Sequence, residues 1–268
     1  MHPIERLRYV AGARGADPGL VAREAATALA EMARLEPAGL LPACRRLVER
    51  HVSSGPVWWL SCRALAGADP AAAAREAARL LEEDPTADHL AEQLPEDTTV
   101  VIVGWPDIVA GALRSRGDVE VLVLDSGGDG AALARRLADA GHDAAAVPDA
   151  GVGPAVAVSG LVLLEAWAAG PSGLLAAPGS RAAAAVAACA GVPVWAVCGV
   201  GRVLPARMWE ALLARFDAGG VEPWARDAEL VPSELIGWVV SPDGLGEATS
   251  AMCQSSCGTA PELLREAG

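Results

Sequence analysis

Three carboxylates and three short loops are the parts of this 268-residue chain whose residue types and spacing could do chemistry. Glu165 is the only charged residue between Leu161 and Ser180. Buried there, its carboxyl would have a raised pKa, as a general acid needs; at a strand end facing solvent it would be ordinary. Asp125-Ser126-Gly127-Gly128-Asp129-Gly130 is a glycine-rich loop. It lacks the order of a dinucleotide fingerprint and the lysine of a P-loop. Its glycines would let backbone at Ser126 and Gly127 approach a ligand closely, and Asp125 suits sugar hydroxyls better than bare phosphate. Simple turn chemistry explains it equally. Gly179-Ser180-Arg181 precedes an alanine-rich helix. Free N–H groups, a helix dipole, a hydroxyl and a guanidinium converge there, as an anion site requires; the plainer reading is a capping serine beside an exposed arginine. Trp105 and Asp107 follow an apolar run, where a tryptophan could stack on a ring or pack as a lid.

The elements that must position these residues fall into two groups. Residues 1–94 read as a helical domain. Asp17-Pro18 and Asp69-Pro70 are start signals, and Gly39–Val52 carries Leu40, Leu41, Cys44, Leu47, Val48 and His51 on one face. From Pro95 the pattern changes. Thr98–Gly104, Val119–Leu124, Asp143–Val147, Val156–Leu164 and Pro193–Val197 read as strands, the third of them at an edge. Helices are expected over Pro106–Arg116, Ala131–Ala140 and Ala182–Ala190, then Ala206–Phe216, with a last strand before Val240 and a turn at Pro261–Arg265. Strands alternating with helices of about ten residues predict a doubly wound, mostly parallel α/β domain over 95–268, Rossmann-like in type. Leu161–Arg202 would be one βαβ unit at its ligand-binding end.

Composition removes several classes. A net charge of −13 argues against a nucleic-acid surface. The longest apolar run, Ala182–Val200, is broken by Gly191 and Pro193, so it reads as helix plus strand and not as a membrane span. The first residues, MHPIERLRYVAG, have no apolar signal core, and the six cysteines are scattered, which points to a reducing cytoplasm with free thiols. Cys253-x-x-x-Cys257 has no second pair nearby and the four histidines are remote, so neither a metal nor a cofactor is expected.

Gly173–Val197, with its late Gly-Ser-Arg and Gly-Val-Pro, resembles a segment of the translation initiation factor 2B alpha/beta/delta family, which includes sugar-phosphate isomerases. Val119–Val147 and the closing VPSELIGWVVSPDGL are similar to further family segments, and the likeness spans about Pro37 to Val240. The resemblance implies the two-part fold, a homodimer and a phosphorylated small ligand. It also implies site positions. The family's nucleophilic cysteine falls near Gly104-Trp105-Pro106-Asp107, its catalytic aspartate at Ala166, its Asn-Lys at Ala176-Ala177, and its late lysine at Arg202. The glycine skeleton persists while the nucleophile and acid are absent, which implies a non-catalytic relative binding a sugar phosphate or nucleotide in a regulatory or assembly role. Two other readings stay open. One is an aldose–ketose isomerase of altered mechanism using Glu165, Asp125 or Asp107. The other is a structural interaction protein with Trp58 and Trp59 as its contact face.

Overall fold

A computed structural model describes residues 18–264. The expected capping residue Asp17 and the end of the expected last turn, Arg265, lie outside them. Four helices open the described chain: α1 (Pro18–Leu35), α2 (Leu40–Arg50), α3 (Gly55–Ala66) and α4 (Pro70–Glu82). Asp69 caps α4 through a 3.0 Å bond from Ala72 N–H. Their shared core includes Trp58 and Trp59, both 0% exposed. The two tryptophans expected to form a contact face are therefore interior. α3 is apolar nearly all round, so its only stable place is the middle of the bundle.

Helix α5 (Thr86–Gln93) leads to the sheet, whose strands are β1 (Thr99–Val103), β2 (Glu120–Leu124), β3 (Ala144–Val147), β4 (Leu161–Glu165), β7 (Val194–Val197), β9 (Trp238–Ser241) and β10 (Gly244–Glu247). The order is β10-β9-β7-β4-β1-β2-β3, parallel except for the β9–β10 hairpin, and β3 is at the edge. Helices α6 (Asp107–Leu113) and α7 (Asp129–Asp139) cover one face; α8 (Val152–Val158) and α9 (Ser180–Ala190) cover the other. This is the mixed α/β architecture the alternation predicts.

Two segments differ from expectation. The strand expected over Val156–Leu164 is divided: Val152–Val158 is helix α8 and β4 begins only at Leu161. Pro154 sits in the first turn of α8, where its missing N–H costs nothing. Ala155 and Val156 then pack on the sheet, which β-branched residues do from a helix as well as from a strand. Between β4 and α9 the chain also makes an antiparallel excursion, β5 (Ala168–Gly170) and β6 (Gly173–Ala176), joined by β8 (Glu229–Pro232). One face of this small sheet (Ala168, Leu175) shares the bundle's core with α10 (Ala206–Ala218), through Met208, Trp209 and Leu212. After α11 (Ala248–Ala251), a single 3-10 turn over Pro261–Leu263 stands where the last turn was expected.

Arg116 fastens the end of α5 to the loop before β2. Its guanidinium donates to the carbonyls of Ala91, Leu94 and Pro95 at 2.8, 2.7 and 2.9 Å, and forks onto Asp118 at 2.8 and 2.6 Å. It thus satisfies the carbonyls left open where α5 ends. Arg116→Ala leaves these acceptors without that donor and is expected to lower stability by about 1–3 kcal/mol. Urea unfolding measures it; a change under about 0.5 kcal/mol, as for an ordinary surface substitution, would show that the clasp is dispensable.

Candidate functional site

The sheet's strand order reverses between β1 and β4, and ligands of such sheets bind outside the carboxyl ends of the strands at that point. Glu165 is the last residue of β4, so its carboxylate emerges there. It is not open. Oε2 accepts from the N–H groups of Ile108 and Val109 at 2.8 and 3.1 Å, which are first-turn amides of α6. Oε1 pairs with Arg202 Nη1 at 3.0 Å, and both side chains are less than a tenth exposed. Arg202 also donates to the carbonyl of Ala166. Burial pushes the Glu165 carboxyl up from the ordinary carboxylate range, Arg202 and the two amides pull it back, and Asp107 adds to the rise. The neighbouring Cys198 is wholly buried and its thiol is pushed up to about 12 by that burial. As a thiol of that kind it is no nucleophile.

The same arrangement recurs along this edge. Asp125, at the end of β2, accepts from Gly130 and Ala131 N–H at 3.0 and 3.3 Å and so holds the first turn of α7. Glu229, on β8, accepts from Arg181 N–H at 2.9 Å at the start of α9. Asp84 accepts from Thr86 N–H and hydroxyl at 3.0 and 2.5 Å and from Val200 N–H at 2.8 Å. The N-terminal amides of three crossover helices thus bond carboxylates of the chain itself. These are the positions where a fold of this kind presents free donors to an anion.

The remaining sequence candidates sort by place. Gly104, at φ +67°, ends β1; a Cβ there would meet Ser126 Cβ at 3.3 Å and Ala177 Cβ at 3.6 Å, so three loops converge tightly. Gly127 (φ +66°) is exposed at the turn before α7. Gly179 is left-handed at φ +96°, Ser180 is buried, and the Arg181 side chain is exposed. The structure therefore joins Glu165 to Arg202 and Gly104 to Ser126, and Asp125 serves its own helix start, while Ser180, expected to cap α9, is buried as its first residue and makes no side-chain cap bond. Trp105 is exposed with the Arg136 guanidinium 5.6 Å above its ring.

Two cavities lie near these residues, and Asp107 lines both. One, about 220 Å³, is the cleft between bundle and sheet, with Arg23, Glu82, Asp84, Ile108, Val200 and Arg202 among its walls. The other, about 370 Å³, runs between α6 and α7, from Trp105 past Arg136 to Arg114 and His142. The cleft's floor is the loop after β7. Gly199 is closely packed in it: a Cβ would stand 2.5 Å from both Asp84 Oδ2 and Ile108 Cδ1, so those side chains would have to shift. Gly55 matches it from above, where a Cβ would meet the backbone carbonyls of Arg202 and Trp167 at 2.9 Å. Asp84, Glu229 and Arg23 escape sequence reasoning. Asp84-Pro85-Thr86 has the form of a helix start, but nothing in spacing joins Asp84 to Val200 or Glu229 to α9. Among the described residues, no cluster of three or more metal-ligating side chains occurs.

Solved structures share this architecture. Translation initiation factor eIF-2B of Pyrococcus horikoshii OT3 superposes with a TM-score of 0.74 over 91% of this chain and 96% of its own, at 17% identity. The tetrameric eIF2B-β2-δ2 complex of Chaetomium thermophilum gives 0.70 over 91% and 90%, at 19% identity. The eIF2B β subunit of that organism gives 0.68 over 91% and 88%, at 16% identity. The fold is thus that of eIF-2B subunits. No family model matches the chain and no curated protein does.

Arg202→Met keeps the apolar length and removes the counter-charge of Glu165. It is expected to cost about 3–5 kcal/mol near neutral pH. Without Arg202 the folded-state pKa of Glu165 rises further above its unfolded value. The folded state then holds a proton the unfolded state has lost, so stability falls as pH rises through that window. The variant's deficit should therefore be smaller at pH 5 than at pH 8, and adding Glu165→Gln should recover part of it. Equal deficits at both pH values in chemical denaturation would show that Glu165 feels no charge from Arg202.

Proposed function

We propose that this chain is a non-catalytic, cytoplasmic protein of the eIF-2B subunit type that acts by assembling with other copies of itself. One observation carries the reading. The backbone amides that the switch-point edge offers to an anion are bonded to Glu165, Asp125 and Glu229, and the nearest arginine, Arg202, is bonded to Glu165. A general acid must reach a substrate proton, and Glu165 is enclosed by donors on both oxygens. Two helix-start carboxylates and one enclosed ion pair build a scaffold, not a proton-transfer site.

Assembly is supported by what remains on the surface. Trp224 is 84% exposed, with Val221 at 49% on the same loop and Trp238 at 41% on β9. Exposed tryptophans of this kind are characteristic anchors of protein interfaces. One of the similar structures is itself a tetrameric complex of eIF2B subunits.

A phosphorylated metabolite in a regulatory role is the second reading, and the cleft between bundle and sheet favours it in one respect. Arg23 lines that cleft from α1, outside the Glu165–Arg202 pair. A cavity of about 220 Å³ suits a ligand of sugar size and no larger.

Light scattering on the purified chain at about 10 μM, a concentration above the Kd of ordinary stable dimers, is expected to give a dimer. Trp224→Ala should weaken it by about tenfold or more. A wild-type monomer at that concentration overturns the assembly reading. Ribose-1,5-bisphosphate and methylthioribose-1-phosphate should not be turned over; isomerisation that disappears in Glu165→Gln would replace this reading with an enzymatic one. A rise in melting temperature with a sugar phosphate, lost in Arg23→Ala, would add the metabolite to the assembly role. No shift with any phosphorylated sugar removes it.

A further inference from the structure

The six cysteines were expected to be free thiols; Cys44 and Cys198 are free, buried and pushed up to about 12, the range of an unreactive thiol. Cys62 and Cys257 come from opposite ends of the chain, yet the structure brings them together. Cys62 is on α3, and Cys257 is on the segment after α11 that returns across the bundle. Two residues of α3 that flank Cys62 grip the residue before Cys257. Trp59 Nε1 donates to Ser256 Oγ at 2.9 Å, and Arg63 Nη1 donates to the Ser256 carbonyl at 3.1 Å. Those two clamps set Cys257 beside Cys62, close enough for each thiol to perturb the other.

The two sulfurs are unlike. Cys62 is 0% exposed, whereas Cys257 is partly exposed. Cys257 also has the Ser255 hydroxyl 3.6 Å from its sulfur and donates its own N–H to Ser255 Oγ at 3.4 Å. The neighbouring Cys62, the Ser255 hydroxyl and the nearby Arg63 guanidinium hold the Cys257 thiol below its ordinary range. The Cys62 thiol is pushed up by Cys257 and by burial, so it keeps its proton. A partly exposed thiol held below its ordinary range beside a shielded thiol is the pattern of an oxidisable cysteine with its resolving partner.

We propose that Cys257 is a modification site oxidised by hydroperoxides and resolved by Cys62 into a disulfide that fastens the C-terminal segment to α3. The Cys257 thiolate attacks a peroxide oxygen. The O–O bond breaks, and the departing hydroxide or alkoxide takes up a proton. Cys257 is left as a sulfenic acid. The Cys62 sulfur then attacks the Cys257 sulfur, the S–S bond forms, and the S–O oxygen leaves as water with the Cys62 proton. Two thiols lose two electrons in all, and one peroxide is reduced. The C-terminal segment is gripped elsewhere too: Arg45 holds the Glu262 carbonyl, and Ala260 and Leu263 are buried in the bundle's core. The disulfide therefore adds a covalent tie where the polar ones already lie.

The test uses the unmodified chain. Reduced protein is treated with hydrogen peroxide, remaining thiols are alkylated, and peptides are mapped by mass spectrometry. The expected product is one Cys62–Cys257 linkage, a loss of about 2 Da for two hydrogens, formed before the exposed Cys189 and Cys253 react. The melting temperature should rise on oxidation and return on reduction. In Cys62→Ala, which keeps the site apolar, a dimedone adduct should accumulate on Cys257 instead of the disulfide. Oxidation that begins at Cys189 or Cys253 and leaves Cys257 alkylatable would overturn the proposal. So would a Cys257 thiol that alkylates in the reduced, folded chain no faster than Cys253 at pH 7.

Discussion

A parallel sheet ends each strand facing the start of a helix, and every such start exposes amides that must be bonded to something. In this chain the partners are internal. Glu165 bonds the start of α6, Asp125 that of α7 and Glu229 that of α9. Only Glu165 is fully enclosed, so only it needs a cation, and Arg202 supplies one. The rest of the molecule follows from holding that pair out of water. Arg202 comes from the loop after β7, and that loop is compressed between Asp84 and Ile108 at Gly199 and against α3 at Gly55. The bundle is therefore seated on the ion pair, with its own first turns serving as the lid.

The seat explains why the N-terminal helices need no interface of their own making. The bundle's core runs into β5, β6 and α10, with Trp58, Trp59 and Trp209 as its largest interior side chains. Aromatics are scarce, so most of the interior is alanine, valine and leucine, and these three tryptophans supply bulk that small residues cannot. Hydrogen bonds from Trp58 Nε1 to the Val52 carbonyl and from Trp209 Nε1 to Ser172 Oγ satisfy two of their polar ends. The surface keeps Trp224 instead, on a loop that packs little else.

Most of the fold was legible because its signals are local. β-branched runs between glycine and proline turns mark β1, β2 and β7, and alanine-rich stretches closed by glycine mark α7 and α9. The eIF-2B type of architecture was legible too, from the glycine and proline skeleton of Gly173–Val197. Two things were not. Val156–Leu164 satisfies both periods, and the decision to break at Ser159-Gly160 is made by packing: a Cβ at Gly160 would stand 2.6 Å from Thr98 Oγ1. The partners of the candidate site residues were also hidden. Glu165 finds its cation thirty-seven positions on, by a path through β5, β6, α9 and β7. Glu229 reaches α9 only because β8 leaves the main sheet to pair with β6. Residue types at Ser180, Arg181 and Asp125 name a capacity for binding an anion; topology decides whether the anion comes from solution or from the chain.

That distinction has an energetic side. A tethered carboxylate competes with a dissolved anion at an effective concentration in the millimolar range or above, and pays no translational entropy to bind. A phosphate carries more charge and more acceptors, which normally wins such a contest at a helix start. Here it would have to displace a negative group that stays nearby and repels it. At the Glu165 seat it would also have to strip Arg202 from a buried pair, leaving a carboxylate without its cation. In a chain of net charge −13 the surrounding field opposes a dianion further. A dissolved dianion therefore has two costs to meet at these helix starts, displacement of a tethered carboxylate and the charge that carboxylate leaves nearby.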